Sequence, residues 1–197
     1  VVAALPLRDS LRQPQVLALL LACFLMSAAH GPLYVFLSIH LVDHGYGKAA
    51  VGAFWSLGVC AEILVFMGMP RMMRAWSVRS ILMTAFALAV LRFLLIGWLA
   101  DVLVLLLLAQ VLHGATFGAY HAAAVAALNG WFPPRQQARV QALYGSVSFG
   151  AGGMVGGLMA GKAWESLGPG LTYTLGSLFA LAGLWAVARG MAPARAR

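Results

Sequence analysis

Six apolar runs, at residues 16–39, 49–69, 80–100, 102–128, 140–160 and 171–188, occupy most of the chain and leave only short polar connections between them. A helix needs about 20 residues to cross roughly 30 Å of hydrocarbon, so each run has the length and composition of a membrane span. In lipid the backbone N–H and C=O groups must bond within the structure, which permits only helices or closed barrels. Barrel strands would be about 10 residues long and would alternate in polarity, and no two-residue alternation runs through these segments. The expected fold is therefore all-α, a six-transmembrane-helix bundle over residues 14–188, with an N-terminal segment 1–13 and a tail 189–197. Composition agrees. The 197 residues are 62% hydrophobic and 9% charged, whereas soluble domains are about half apolar and a quarter charged. A water-soluble globule is excluded, and no room is left for a separate catalytic domain, so no enzyme activity is expected.

The formal net charge of +8 would point to nucleic acid on a soluble protein. In a membrane chain it is first a signal of orientation, because Lys and Arg collect in cytoplasmic loops. Short turns make neighbouring spans antiparallel. One side then carries Arg8, Arg12, Arg71, Arg74, Arg79, Arg135, Arg139, Arg189, Arg195 and Arg197, against Lys48 and Lys162 on the other. Both termini are expected to be cytoplasmic, in a bacterial inner membrane, with no nucleic-acid partner. Arg8 and Arg12 ahead of an apolar run imitate a signal peptide, but the run continues to Ile39, which marks an anchored helix. Cys23 and Cys60 lie inside apolar runs and form no CxxC or disulfide framework.

Two charges fall inside spans. Glu62 lies on the order of 12 Å, and Arg92 on the order of 18 Å, from the cytoplasmic ends of their helices at about 1.5 Å per residue. Each costs roughly 2.5 to 3.5 kcal/mol or more at a helix centre, so they should find each other or a wet cavity. Their depths are compatible with a pair, either a structural salt bridge or a cavity-facing site for an anion or a proton. The fourth span reads Gln110, His113, Phe117, His121, Ala124, Leu128 in steps of three and four. These positions share one helix face, too polar for lipid, which should line the bundle interior. Its histidines either bond to neighbouring helices or contact a substrate or proton. His30-Gly31-Pro32 interrupts the first span, where a kink exposes backbone to a cavity or merely bends a packing helix. Tyr34, Trp55, Tyr120 and Tyr144 are candidate aromatic walls. The fifth span has GxxxG spacing at 152/156, 153/157 and 157/161, a surface for close helix approach and a sliding contact in any rocking motion.

Other chemistries fit less well. His30, His113 and His121 have no HExxH, cysteine or carboxylate at ligand spacing, so neither metal nor haem cofactor is expected. Ser146 and Ser148 do not sit in a GxSxG elbow, and no histidine follows them to act as a base.

Several motifs in order, FWSLGVCAEI at 54–63, Leu91-Arg92, QVLHGATFGAYHAAA at 110–124, FPPR at 132–135 and QALYGSVSFG at 141–150, resemble the major facilitator superfamily. The resemblance is to phenylpropionate-permease-like members, relatives of the lactose and nucleoside proton symporters. It covers about residues 8 to 188 and aligns with the C-terminal half, helices seven to twelve, of that fold. It implies a proton-coupled secondary transporter with its substrate near the midplane between two six-helix halves. Arg92 and His113 match the cavity Arg and His of lactose symporters. The Glu that follows that His by three residues there is Thr116 here, which leaves Glu62 as the candidate carboxylate. The loop 70–79 keeps Arg71, Arg74 and Arg79 of the basic signature between helices two and three and lacks its Gly and Asp.

The resemblance also implies a partner. Six helices form one wall of an alternating-access cavity, and the second wall must come from an upstream N-terminal six-helix half, a separate chain or a second copy. The working expectation is transport of a small organic solute, an aromatic or other carboxylate. Arg92 would hold the anion, Glu62 the proton, and His113, Gln110, His121 and His30 would complete the site. The alternatives are a non-transporting remnant or assembly partner and a His-ligated membrane haem protein.

Overall fold

The computed structural model describes residues 7–191, and every regular element among them is helical. A short α1 (Leu7–Leu11) leads into the first span, built from α2 (Pro14–Ala29) and α3 (Gly31–Asp43). The second span is α4 (Lys48–Ala75) and the third α5 (Val78–Leu99). The fourth comprises α6 (Leu103–Val111), a π-helical segment (Gly114–Ala119) and α7 (Tyr120–Trp131). After α8 (Pro134–Gly145) and a second π-helical segment (Ser146–Gly152), α9 (Gly153–Gly190) completes the described chain.

The last helical stretch, Pro134–Gly190, has 57 residues, about 85 Å if straight and far more than a bilayer needs. It is two spans. Gly168 has φ 79, a left-handed conformation that favours glycine, and Pro169 supplies a fixed φ for the start of the next helix. Gly156 lies against Ala28 and Gly176 against Ala29, so the chain has turned back along the first span between them. Six membrane-spanning segments result, as the hydropathy implies.

The span ends lie further out than the apolar runs. α4 continues through Pro70 to Ala75, placing Arg71 and Arg74 on the helix and leaving a linker of only Trp76 and Ser77. The expected break at Pro70 is thus corrected to a helical extension. Likewise the fourth helix runs to Trp131 and the fifth restarts at Pro134. Helices project past the hydrocarbon because water and polar side chains satisfy their end groups. Ser77 does this for α5, its hydroxyl accepting the Ser80 N–H at 3.1 Å.

The first span is the centre of the bundle. Leu19, Met26, Leu33, Leu37 and Leu41 are buried along its length, with Leu82, Phe86, Phe93 and Ile96 of α5. Lipid tails are as apolar as leucine, so helices associate here through close packing of small residues. A side chain at Gly31 would run into the backbone of Gly156, one at Gly156 into Ala28, and one at Gly152 into Phe24 O. Of the expected GxxxG pairs only 152/156 is a backbone contact. Gly153 and Gly161 have open space, and Gly157 meets only Val35 at 3.9 Å. At about 100° per residue, a one-residue offset turns those glycines out of the close backbone contact with the first span.

Side-chain bonds to backbone close the two ends. At one end Arg79 donates through Nε to Met191 O (2.8 Å) and through Nη2 to Ala188 O (3.0 Å), capping the last helix with a cation. At the other, Tyr46 OH donates to Ala100 O (2.9 Å), and His44 Nε2 stands 3.8 Å from Asp101. Arg195 and Arg197 of the charge count lie outside the described residues. Gly156→Ala should lower the detergent melting temperature of the protein, since overpacking costs ~1–3 kcal/mol. Gly153→Ala should leave it unchanged or raise it through helix propensity, and equal effects would overturn this packing assignment.

Candidate functional site

Arg92 faces inward from α5 and is 1% exposed. Its guanidinium is held by neutral acceptors from two other spans. Nε donates to Ala109 O at 2.7 Å and Nη1 to Thr116 Oγ1 at 3.2 Å, with a longer 3.5 Å contact from Nη1 to His30 Nε2. His30 sits at the joint of α2 and α3. Its Nδ1–H donates to Met26 O at 2.9 Å, which leaves Nε2 as the lone-pair nitrogen that a guanidinium can meet. Among the described residues no carboxylate comes within ion-pair distance of Arg92.

Glu62 pairs elsewhere. Its Oε2 lies 3.6 Å from His113 Nε2, with the two side chains 19% and 9% exposed. The pairing of Glu62 with Arg92 that their depths allow does not form; each is matched with a histidine. Depth along the membrane normal leaves the direction in which a side chain points undetermined, and α4 packs against the π-helical segment of the fourth span rather than against Arg92. Gly114 and Gly118 permit that approach, since a side chain at Gly114 would meet Ala61 O at 2.6 Å and one at Gly118 would meet Glu62 Cγ at 3.2 Å.

The stripe on the fourth span faces the bundle interior as its periodicity implies. Gln110, His113, Ala124 and Leu128 are buried, and Phe117 and His121 half-buried. Gln110 Nε2 and His113 Nδ1 are buried with no hydrogen-bond partner among the described residues, an arrangement that folded proteins seldom tolerate away from functional sites. His121 is not part of the Arg92 or Glu62 clusters. Its Nδ1 is 2.8 Å from Tyr144 OH.

Aromatic rings line this face. His113 and Phe117 stack at 5.4 Å and 13°, and Phe117 and His121 at 6.3 Å and 14°. In an α-helix a four-residue step rotates about 40° past a full turn; the wider π-helical segment slows that rotation and brings the three rings nearly parallel. Phe149 on the second π-helical segment closes against Phe117 (6.2 Å) and His121 (5.9 Å). Tyr34 stacks on Trp55 at 6.3 Å and 14° and lies 5.9 Å from the His30 ring. Tyr34 and Trp55 stack on this face, while Tyr120 and Tyr144 are buried. Phe149 and Ser27 are candidate site residues that the sequence reading passes over, and Thr116 and Ser148, which it names, join the buried polar clusters in a way it does not anticipate. Gly114 and Gly118 carried a readable signal, the same small-residue spacing as the fifth span.

These helices form a six-span bundle that carries paired polar clusters and stacked aromatic rings among its spans. A sequence family described as the MFS_1 like family matches residues 6–175, and the chain belongs to it, an integral multi-pass membrane protein of the major facilitator class. The chain is also similar to a probable 3-phenylpropionic acid transporter of Escherichia coli (strain K12), 33% identical over 159 residues. That alignment takes in 79% of this chain and 41% of the relative, so the chain spans about two fifths of the relative's length. No solved structure matches.

Arg92→Lys keeps the charge but loses the planar fork that reaches Ala109 O, Thr116 and His30 together. Charge-assisted hydrogen bonds contribute about 1.5–3 kcal/mol each. The lysine variant should therefore melt well below the parent in detergent, and an unchanged melting temperature would remove this bonding role.

Proposed function

We propose that this chain is the C-terminal half of a proton-coupled facilitator that carries a small organic anion, an aromatic carboxylate, by alternating access. The observation that carries the reading is the uncompensated Arg92 cation beside His30, next to a face walled with aromatic rings. A buried cation without an acid partner draws an anion toward it, and the rings offer apolar area for the rest of the solute. The name of the Escherichia coli relative supports the same chemical class.

Glu62 and His113 are the proton-handling pair. Glu62 is the one carboxylate within the apolar runs, its side chain is partly exposed, and it faces a histidine nitrogen. A proton taken by the pair neutralises the carboxylate, and its release restores the charge, which couples proton occupancy to a charge-sensitive rearrangement. Gln110 and His121 orient the solute from the same face. A six-helix N-terminal half supplies the opposite wall, consistent with the greater length of the relative. The basic ends of the spans are cytoplasmic, in a bacterial inner membrane. A single cysteine at Lys48 should then react with an impermeant maleimide in intact cells, and one at Arg135 only after permeabilisation.

Glu62→Gln in the full-length protein should abolish accumulation of labelled 3-phenylpropionic acid driven by a pH gradient, while substrate exchange persists. Accumulation at the parent level would refute the assignment of the proton site. Arg92→Gln should weaken competition by carboxylates far more than by their neutral amides, and an equal loss for both would leave Arg92 a structural role only.

A further inference from the structure

We propose that the cleft between the first, fourth and fifth spans holds a hydrogen-bond-accepting subsite at Ser27, selecting aromatic acids that carry a ring hydroxyl over unsubstituted ones. The inference rests on the aromatic-carboxylate reading above and concerns the end of the solute remote from its carboxylate. The cleft holds about 20 Å³, room for a single hydroxyl group and not for the solute ring, and is lined by Ser27, His30, Tyr34, Phe117, Tyr120 and Phe149, among others. His30, at its cationic end, leads to Arg92. Ser27 is one helical turn away on the same span, about 4.5 Å along the axis. The rings of Phe117 and Phe149 stand 6.2 Å apart at this level.

The hydroxyl hydrogens determine what Ser27 offers. Ser148 is fully buried, and its Oγ–H donates to the carbonyl of Cys23 at 3.0 Å, an oxygen that can only accept. The single hydrogen of Ser148 is thereby committed. With Ser148 donating to Cys23 O, the shorter of the two hydroxyl contacts to that carbonyl, its 3.1 Å contact with Ser27 Oγ uses the hydrogen of Ser27. Tyr120 OH lies 3.4 Å from both Cys23 O and Ser148 Oγ, so its hydrogen is directed into the same cluster. Of the three hydroxyl-bearing residues, Ser148 and Tyr120 are buried and Ser27 is half-buried. Ser27 therefore turns its hydrogen inward and its lone pairs toward the cleft. A solute hydroxyl can donate there. A methoxy oxygen at the same place cannot, because it carries no hydrogen.

The test is competition against uptake of labelled 3-phenylpropionic acid by the full-length protein in membrane vesicles. The competitors are the unlabelled acid, its ring-hydroxylated isomers and the corresponding methoxy compounds. At least one hydroxylated isomer should compete at roughly fivefold lower concentration than the unsubstituted acid, the size expected of one neutral hydrogen bond. The methoxy compounds should compete no better than the unsubstituted acid. In Ser27→Ala the hydroxyl-to-unsubstituted ratio should fall to about one, and in Ser27→Thr, which keeps the acceptor, it should persist. Equal competition by hydroxylated and unsubstituted acids in the parent protein, an equal gain from methoxy compounds, or a preference that survives in Ser27→Ala would overturn the subsite while leaving aromatic-acid transport standing. Absence of any uptake of the labelled acid would overturn both readings together. If Ser27→Ala fails to reach the membrane, the contrast between hydroxyl and methoxy in the parent protein decides alone.

Discussion

A guanidinium buried to 1% exposure in a membrane bundle, with no carboxylate against it among the described residues, sets terms that the surrounding helices must meet. Arg92 cannot shed its charge as a lysine can, so neighbouring spans must supply acceptors. They come from three kinds of group: the Ala109 carbonyl, the Thr116 hydroxyl and the His30 imidazole. His30 is available because the first span is jointed there, its ring anchored to Met26 O while its other nitrogen faces the cation. Thr116 is available because the fourth span passes into a π-helical segment at Gly114. The local irregularities of two helices therefore serve one charge on a third.

The packing around this charge relies on contact between backbones. The first span is held on one side by Gly152 and Gly156 and on another by Gly176, so both of the last two spans lie against it. The two π-helical segments also face each other through Phe117 and Phe149, and Tyr120, the first residue of α7, meets Ser148 of the second segment. Each inserts an extra residue into its helix and re-aims the rings that follow. That places Phe117, Phe149 and Tyr34 around the His30 joint.

Much of this is legible in the residues themselves. The period of the fourth span places Gln110, His113 and Ala124 inside, and the 152/156 glycines read as a contact surface. The partner of Glu62 does not follow from sequence. Its depth matches Arg92, yet Gly114 and Gly118 draw α4 onto the fourth span and put the carboxylate beside His113. Pro70 misleads in a different way, since a proline in an exposed helical extension costs less than one inside the hydrocarbon, and α4 runs on through it.

Sequence by itself determines the number of spans and which helix faces are too polar for lipid, because those properties depend on composition and period along one helix. Tertiary structure decides which buried polar groups meet, which of the overlapping glycine pairs is a contact, and which serine lines the cleft. Those outcomes depend on the rotation of each helix about its own axis relative to its neighbours, a quantity set by close packing between spans rather than by any one of them.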